Sequence, residues 1–308
     1  MGLDPGGRVR RWLRALPLLV ALGGFGCSSG GQADIATLAS NSDQIIWEAG
    51  QKAAEKKQWA TARQYFKRIV DGFPQSQFGP AARLALADSH FGEAGAANYI
   101  LAISEYRDFV TLYPSHPKSD YAQFRIAEAY FAQKNGPDRD QTSTYHALEE
   151  YEHLLESYPS SPLVEQARGR ISNCRQTLAR SEFLAGYFYQ RTRRAYRSAI
   201  SRYEGILNDY PDYDYIDEVL FRLSQCLIFT ARGPEAMPHL TKLIEVYPTS
   251  EWADEAKKLM AQLAAAPPPA APSAPPPPAP SSTPQGAAGP DPGPAPDSPP
   301  QSPPTPTP

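Results

Sequence analysis

The chain has 308 residues and a formal net charge of −3, from 30 Lys and Arg against 33 Asp and Glu. This acidic balance argues against nucleic acid as a main partner, since phosphate binding needs clustered positive charge. Three cysteines are too few for a disulfide framework.

Met1 to Gly26 hold Arg8, Arg10, Arg11 and Arg14 ahead of the apolar run Ala15 to Leu22. A basic segment, an apolar run and then small residues is the layout of a secretory signal over 1–26. The run is too short to span ~30 Å of hydrocarbon as a helix. With Asp4 the segment carries +3, so its removal takes the stated −3 to −6. Cys27, followed by Ser28-Ser29-Gly30-Gly31, resembles the acceptor of a lipoprotein signal, whose thiol receives a diacylglycerol. Gly26 fits the small residue expected before it, while Gly24 stands where that signal usually has Leu. An ordinary cleaved signal with an incidental cysteine is the alternative. Acylation of Cys27 would give a stable membrane anchor, each buried CH₂ contributing ~0.8 kcal/mol. Ser28 implies outer-membrane sorting by the same resemblance, and 27–42 reads as a flexible tether.

Residues 43–264 contain an internal repeat. Five aromatic–proline pairs punctuate it: Phe73-Pro74, Tyr113-Pro114, Tyr158-Pro159, Tyr210-Pro211 and Tyr247-Pro248. Twelve residues before each proline stands an alanine: Ala62, Ala102, Ala147, Ala199 and Ala236. Eight before come Phe66, Tyr106, Tyr151, Tyr203 and Leu240; five before, Ile69, Phe109, Leu154, Ile206 and Leu243. Offsets of 4 and 7 from the alanine trace one apolar stripe of a helix. The proline ends it, because the residue before a proline is pushed out of the α region. A second helix should follow, with Leu86, Ile126, Ile171, Leu223 and Met260 twelve residues past the prolines.

Helix pairs with a small alanine at the crossing and a proline at the end resemble the tetratricopeptide repeat. The expected fold is therefore all-α, a solenoid of about five helical hairpins with a concave surface. Successive prolines from Pro74 to Pro248 are 40, 45, 52 and 37 residues apart, longer than the repeat's usual ~34. Insertions are thus expected in the third and fourth units.

Cys174 and Cys226 both lie fifteen residues after their proline, where other units have Ser89, Ala129 and Leu263. That register predicts small packed residues rather than a disulfide. No sequence signature of a metal or nucleotide site is present, and no cofactor is expected. Asp138-Arg139-Asp140 reads as a solvated turn. Within the repeat region one basic cluster stands out: Arg191, Arg193, Arg194 and Arg197, with Arg202 one turn later. It is a solvated helix end or a docking patch for an acidic protein surface. Twenty of the 33 prolines fall in 267–308, so 265–308 reads as a disordered, partly polyproline II tail.

Finer motifs narrow the resemblance. They are Tyr113-Pro114-Ser115-His116-Pro117 with Asp120-Tyr121, Asp138-Arg139-Asp140, Tyr158-Pro159-Ser160-Ser161, Ala185-Gly186-Tyr187-Phe188-Tyr189, and Ser201 to Leu207 ending at Asp209-Tyr210-Pro211. In this order and spacing they resemble the BamD (ComL) family, lipoproteins of the machine that folds β-barrels into the outer membrane. The resemblance implies a non-catalytic scaffold on the periplasmic face of the outer membrane. Its implied partners are the β-barrel assembly subunit, accessory lipoproteins and unfolded outer-membrane proteins. It places Arg202 and Glu204 in the region facing the barrel subunit, and the early repeats where barrel substrates arrive. The proline-rich tail has no counterpart in that family's usual ending. A repeat lipoprotein of cell-envelope coordination, or a pilotin for a secretion pore, is the alternative.

Overall fold

A computed structural model describes residues 43–265. The signal, Cys27, the tether and all but the first residue of the proline-rich tail lie outside the described residues. Among the described residues eleven α-helices follow one another: α1 (Asp43–Glu55), α2 (Trp59–Gly72), α3 (Gly79–Glu93), α4 (Ala96–Leu112), α5 (Ser119–Phe131), α6 (Thr142–Ser157), α7 (Val164–Phe188), α8 (Tyr196–Asp209), α9 (Ile216–Phe229), α10 (Gly233–Val246) and α11 (Ala253–Ala265). Consecutive helices from α1 through α10 pack side by side. The protein is all-α, a stack of antiparallel helical hairpins. No described helix is long and apolar enough to cross a membrane.

The five aromatic–proline pairs make one repeated helix ending. Phe73, Tyr113, Tyr158, Tyr210 and Tyr247 all leave the α region, with φ from −123° to −132° and ψ from 55° to 66°. Each still donates its backbone N–H to the carbonyl four residues back. The steric demand of the following proline sets this geometry. The alternate connections turn through left-handed residues: Lys57, Ala94, Arg194 and Ala231 have φ between 52° and 61°. Tight left-handed turns therefore close the pairs α1–α2, α3–α4, α7–α8 and α9–α10, and proline turns link pair to pair. The hairpins thus start one helix earlier than the proline alignment suggests, and α11 closes the end.

The register alanines are fully enclosed in the core. Ala62, Ala102, Ala147, Ala199 and Ala236 are each 0% exposed. The aromatic or leucine four residues on, and the apolar residue three beyond that, are buried in every unit. Close approach also demands glycine at two equivalent places. A Cβ on Gly50 would lie 2.6 Å from the Phe66 ring, and one on Gly186 2.7 Å from the Tyr203 ring. Cys174 and Cys226 are free and buried, as their register predicts. Burial pushes their thiols up, to about 11 and about 12.

The two insertions are accommodated differently. In the third unit the chain between α5 and α6 forms a loop tied by Gln141. Its side-chain nitrogen donates to the carbonyls of Gly136 (2.7 Å) and Arg139 (3.0 Å). In the fourth, α7 grows to 25 residues and ends in a π-helical turn, Tyr189–Arg193.

Candidate partner-binding surface

The π turn shapes the basic cluster. It closes at Arg194, whose left-handed backbone (φ 52°) lets the Ala195 N–H reach back to the Tyr189 carbonyl at 2.9 Å. The widened turn points Gln190 inward, 5% exposed, and leaves Arg191, Arg193 and Arg194 in solvent. Gln190 is a buried bracket. Its Oε1 accepts the Tyr203 hydroxyl of α8 at 3.0 Å, and its Nε2 donates to Gln225 of α9 at 3.0 Å. An amide serves here because it has both an acceptor and donors.

Exposed aromatics border these arginines. Arg193 lies over the ring of Phe188 at 5.5 Å. Tyr196 stacks on Phe229 at 4.8 Å, and Phe229 is 65% exposed although it ends a core helix. Arginines beside exposed aromatics form the residue mix of protein-binding surfaces.

The remaining site residues divide. Arg197 and Arg202 line a groove of about 670 Å³ with Tyr145, Glu182, Tyr189 and Tyr210. Arg202 pairs with Glu182 at 2.7 Å, which strengthens its hold on its proton. Glu204 is half-buried and turned towards α10, where its charge opposes the lowering of the His239 pKa by burial. Residues two apart on a helix do not share a face. Arg202 and Glu204 therefore belong to different surfaces.

One recurring polar arrangement escapes the sequence reading. Tyr106 of α4 donates its hydroxyl to Asp88 of α3, and Arg125 of α5 reaches the same hydroxyl at 3.2 Å. One unit later Tyr151 of α6 donates to Glu128 of α5, which pairs with Arg170 of α7 at 2.7 Å. Each trio bolts three successive helices together. The signal was present: Arg125, Arg170 and Arg222 all stand eleven residues after a proline, and Asp88 and Glu128 fourteen after. A second set joins neighbouring turns, through Ser161 with Asp120 and Ser250 with Asp217, both at 2.6 Å, and Ser76 with Asp43.

Further grooves lie along the stack, two of them with aromatic and charged linings. One, of about 530 Å³, runs beside α6 and is lined by Arg107, Tyr130, His146, Glu149, Glu152 and His153 among others. The other, of about 250 Å³, lies among α1, α2 and α3.

Comparison with known proteins places these features in a lineage. Residues 39–239 match the family described as "YfiO: Outer membrane lipoprotein". Among curated relatives, the outer membrane protein assembly factor BamD of Caulobacter vibrioides is 24% identical over 243 residues, covering 79% of this chain and 78% of that protein. BamD of Rickettsia prowazekii is 25% identical, covering 70% of this chain and 84% of that one. BamD of Vibrio cholerae is 27% identical, covering 65% and 82%. Among solved structures, a thermophilic TPR protein of Thermus thermophilus is 16% identical, with a TM-score of 0.31 over 72% of this chain and 97% of that one. A likeness that distant carries no argument about function. The match across 39–239 and the relatives of matching length establish that the chain belongs to the YfiO family of outer membrane lipoproteins, the BamD lineage.

Proposed function

We propose that the protein is a non-catalytic, lipid-anchored subunit of outer-membrane protein assembly, held by Cys27 on the periplasmic face of the outer membrane. The supporting observation is that the family match spans all of the first four hairpins and most of the fifth, and that relatives of comparable length are named assembly factors. In this reading the later hairpins dock on the β-barrel assembly subunit, and accessory lipoproteins join the complex. Arg191, Arg193, Arg194 and Arg197 suit an acidic partner surface, with Phe188 and Phe229 as apolar anchors. Arg202 continues the contact into its groove, and Glu204 supports it from the α10 side. The early hairpins receive unfolded barrel proteins as extended, aromatic-ended segments.

Site-specific crosslinkers at positions 197 and 202 in intact cells, followed by mass spectrometry, test the docking. Recovery of a barrel-assembly subunit is expected; recovery of only unrelated envelope proteins would count against it. Cys27→Ser, with fractionation of membranes, tests the anchor: the variant should leave the outer-membrane fraction.

A further inference from the structure

The groove among α1, α2 and α3 has an unusual lining. Trp47, Trp59 and Phe66 make its walls, and its ionisable lining residues are the carboxylates Glu55 and Asp88. The walls are held rigidly. Trp47 stacks on Phe78 at 5.7 Å with the rings 13° from parallel, and meets Phe66 at 5.4 Å. Trp59 lies over Gly92, where a Cβ would come within 2.8 Å of the indole. Asp88 is fixed by the Tyr106 hydroxyl, by the Tyr121 hydroxyl at 2.9 Å and by Arg125 at 3.9 Å. Glu55, by contrast, has no ion-pair partner among the described residues.

At about 250 Å³ the cavity lies below the ~300–1,000 Å³ of pockets that hold whole small molecules. It has room for one side chain. A carboxylate ligand would meet Glu55 and Asp88 with like charge. A purely apolar one would cover Glu55 without compensating its charge. A cation on an aliphatic stem satisfies both needs: the stem lies along the indoles, and the charge faces ring π-systems and a free carboxylate.

We infer that this groove is a cation-selective subsite that takes one arginine or lysine side chain of a bound polypeptide. The inference rests on the reading of the chain as a peptide-binding scaffold. It adds a chemical preference to the early hairpins: the incoming segment carries a positive residue, and any terminal carboxylate is accommodated elsewhere.

Tryptophan fluorescence of the full mature chain tests this, in a Trp252→Phe background so that emission comes from Trp47 and Trp59. The probes are capped pentapeptides of glycine with a central arginine, citrulline or phenylalanine. The arginine peptide should give a saturable change, with the citrulline peptide about tenfold weaker. Glu55→Gln should narrow that gap and Trp59→Leu should abolish the change. Equal binding of arginine and citrulline peptides, tighter binding of the phenylalanine peptide, or no binding would overturn the inference. Such a result alongside intact crosslinks to the assembly subunit removes the cation preference alone. Retained selectivity without those crosslinks removes the assembly reading alone.

Discussion

Tyr203 and Gln190 share a hydrogen bond of 3.0 Å between the middle of α8 and the π turn, and both residues are buried. The bond fixes the turn's inner side, and so the direction in which its arginines face outward. Gln190→Leu keeps the bulk but strands the Tyr203 hydroxyl and the Gln225 amide. The expected loss is about 1–3 kcal/mol, measured by urea unfolding. Trypsin should also cut faster at Arg191, Arg193 and Arg194, because the loosened turn enters the protease more readily.

The Tyr151–Glu128–Arg170 trio makes a second prediction. Glu128→Ala leaves a guanidinium and a phenol without their shared acceptor in a mostly buried setting. A cost of about 2 kcal/mol follows. A double-mutant cycle with Arg170→Met should recover part of it, since the second change removes the orphaned charge.

At the helix crossing, Ala147→Leu should destabilise by about 1–3 kcal/mol, because a side chain with no exposed surface has nowhere to expand. Ala60→Leu is the control. Ala60 is exposed on α2, and its substitution should change stability by no more than ~0.5 kcal/mol. Thermal melts distinguish the two.

Arg175 donates to the Asp212 carboxylate at 2.8 Å and holds its pKa below the ordinary carboxylate value. A lowered folded-state pKa stabilises above the unfolded value of about 3.9 and stops doing so as pH falls through the folded value. The pair's contribution, below ~1 kcal/mol because both groups meet solvent, is therefore full at neutral pH and lost in acid. Arg175→Met should lower stability more at neutral pH than at the acid end, where only its contacts with the Asp209 carbonyl and the Tyr210 ring are lost, as read from denaturant midpoints against pH.

The raised thiol pKa values of Cys174 and Cys226 carry a chemical expectation. In mildly alkaline buffer both should resist iodoacetamide while folded and react once denatured, because the thiolate is the nucleophile. Peptide mapping keeps Cys27 separate.

Much of this was legible in the residues. The alanine–aromatic–aliphatic register is a steric requirement of helix crossing, so it recurs at fixed offsets, and every alanine it marked is buried. The cysteines followed from the same register. The π turn was not legible, since it differs from an ordinary helix end by a single residue's worth of backbone and no side-chain pattern demands it. The split between Arg202 and Glu204 is hidden by their shared motif, because nearness along the chain is not nearness on the surface. The tyrosine trios needed three helices considered at once, and their fourth-unit counterpart breaks the pattern by replacing the carboxylate with Gln190.

The tyrosine trios and the serine–aspartate pairs join only neighbouring hairpins. Stability in such a stack is a sum of local pieces and neighbour interfaces. A lesion in the tryptophan-lined hairpin therefore has no direct route to the arginine-bearing one, and the reverse holds too. If the two proposed surfaces bind as inferred, they are separate instruments mounted on one beam, and retuning one should leave the other unchanged.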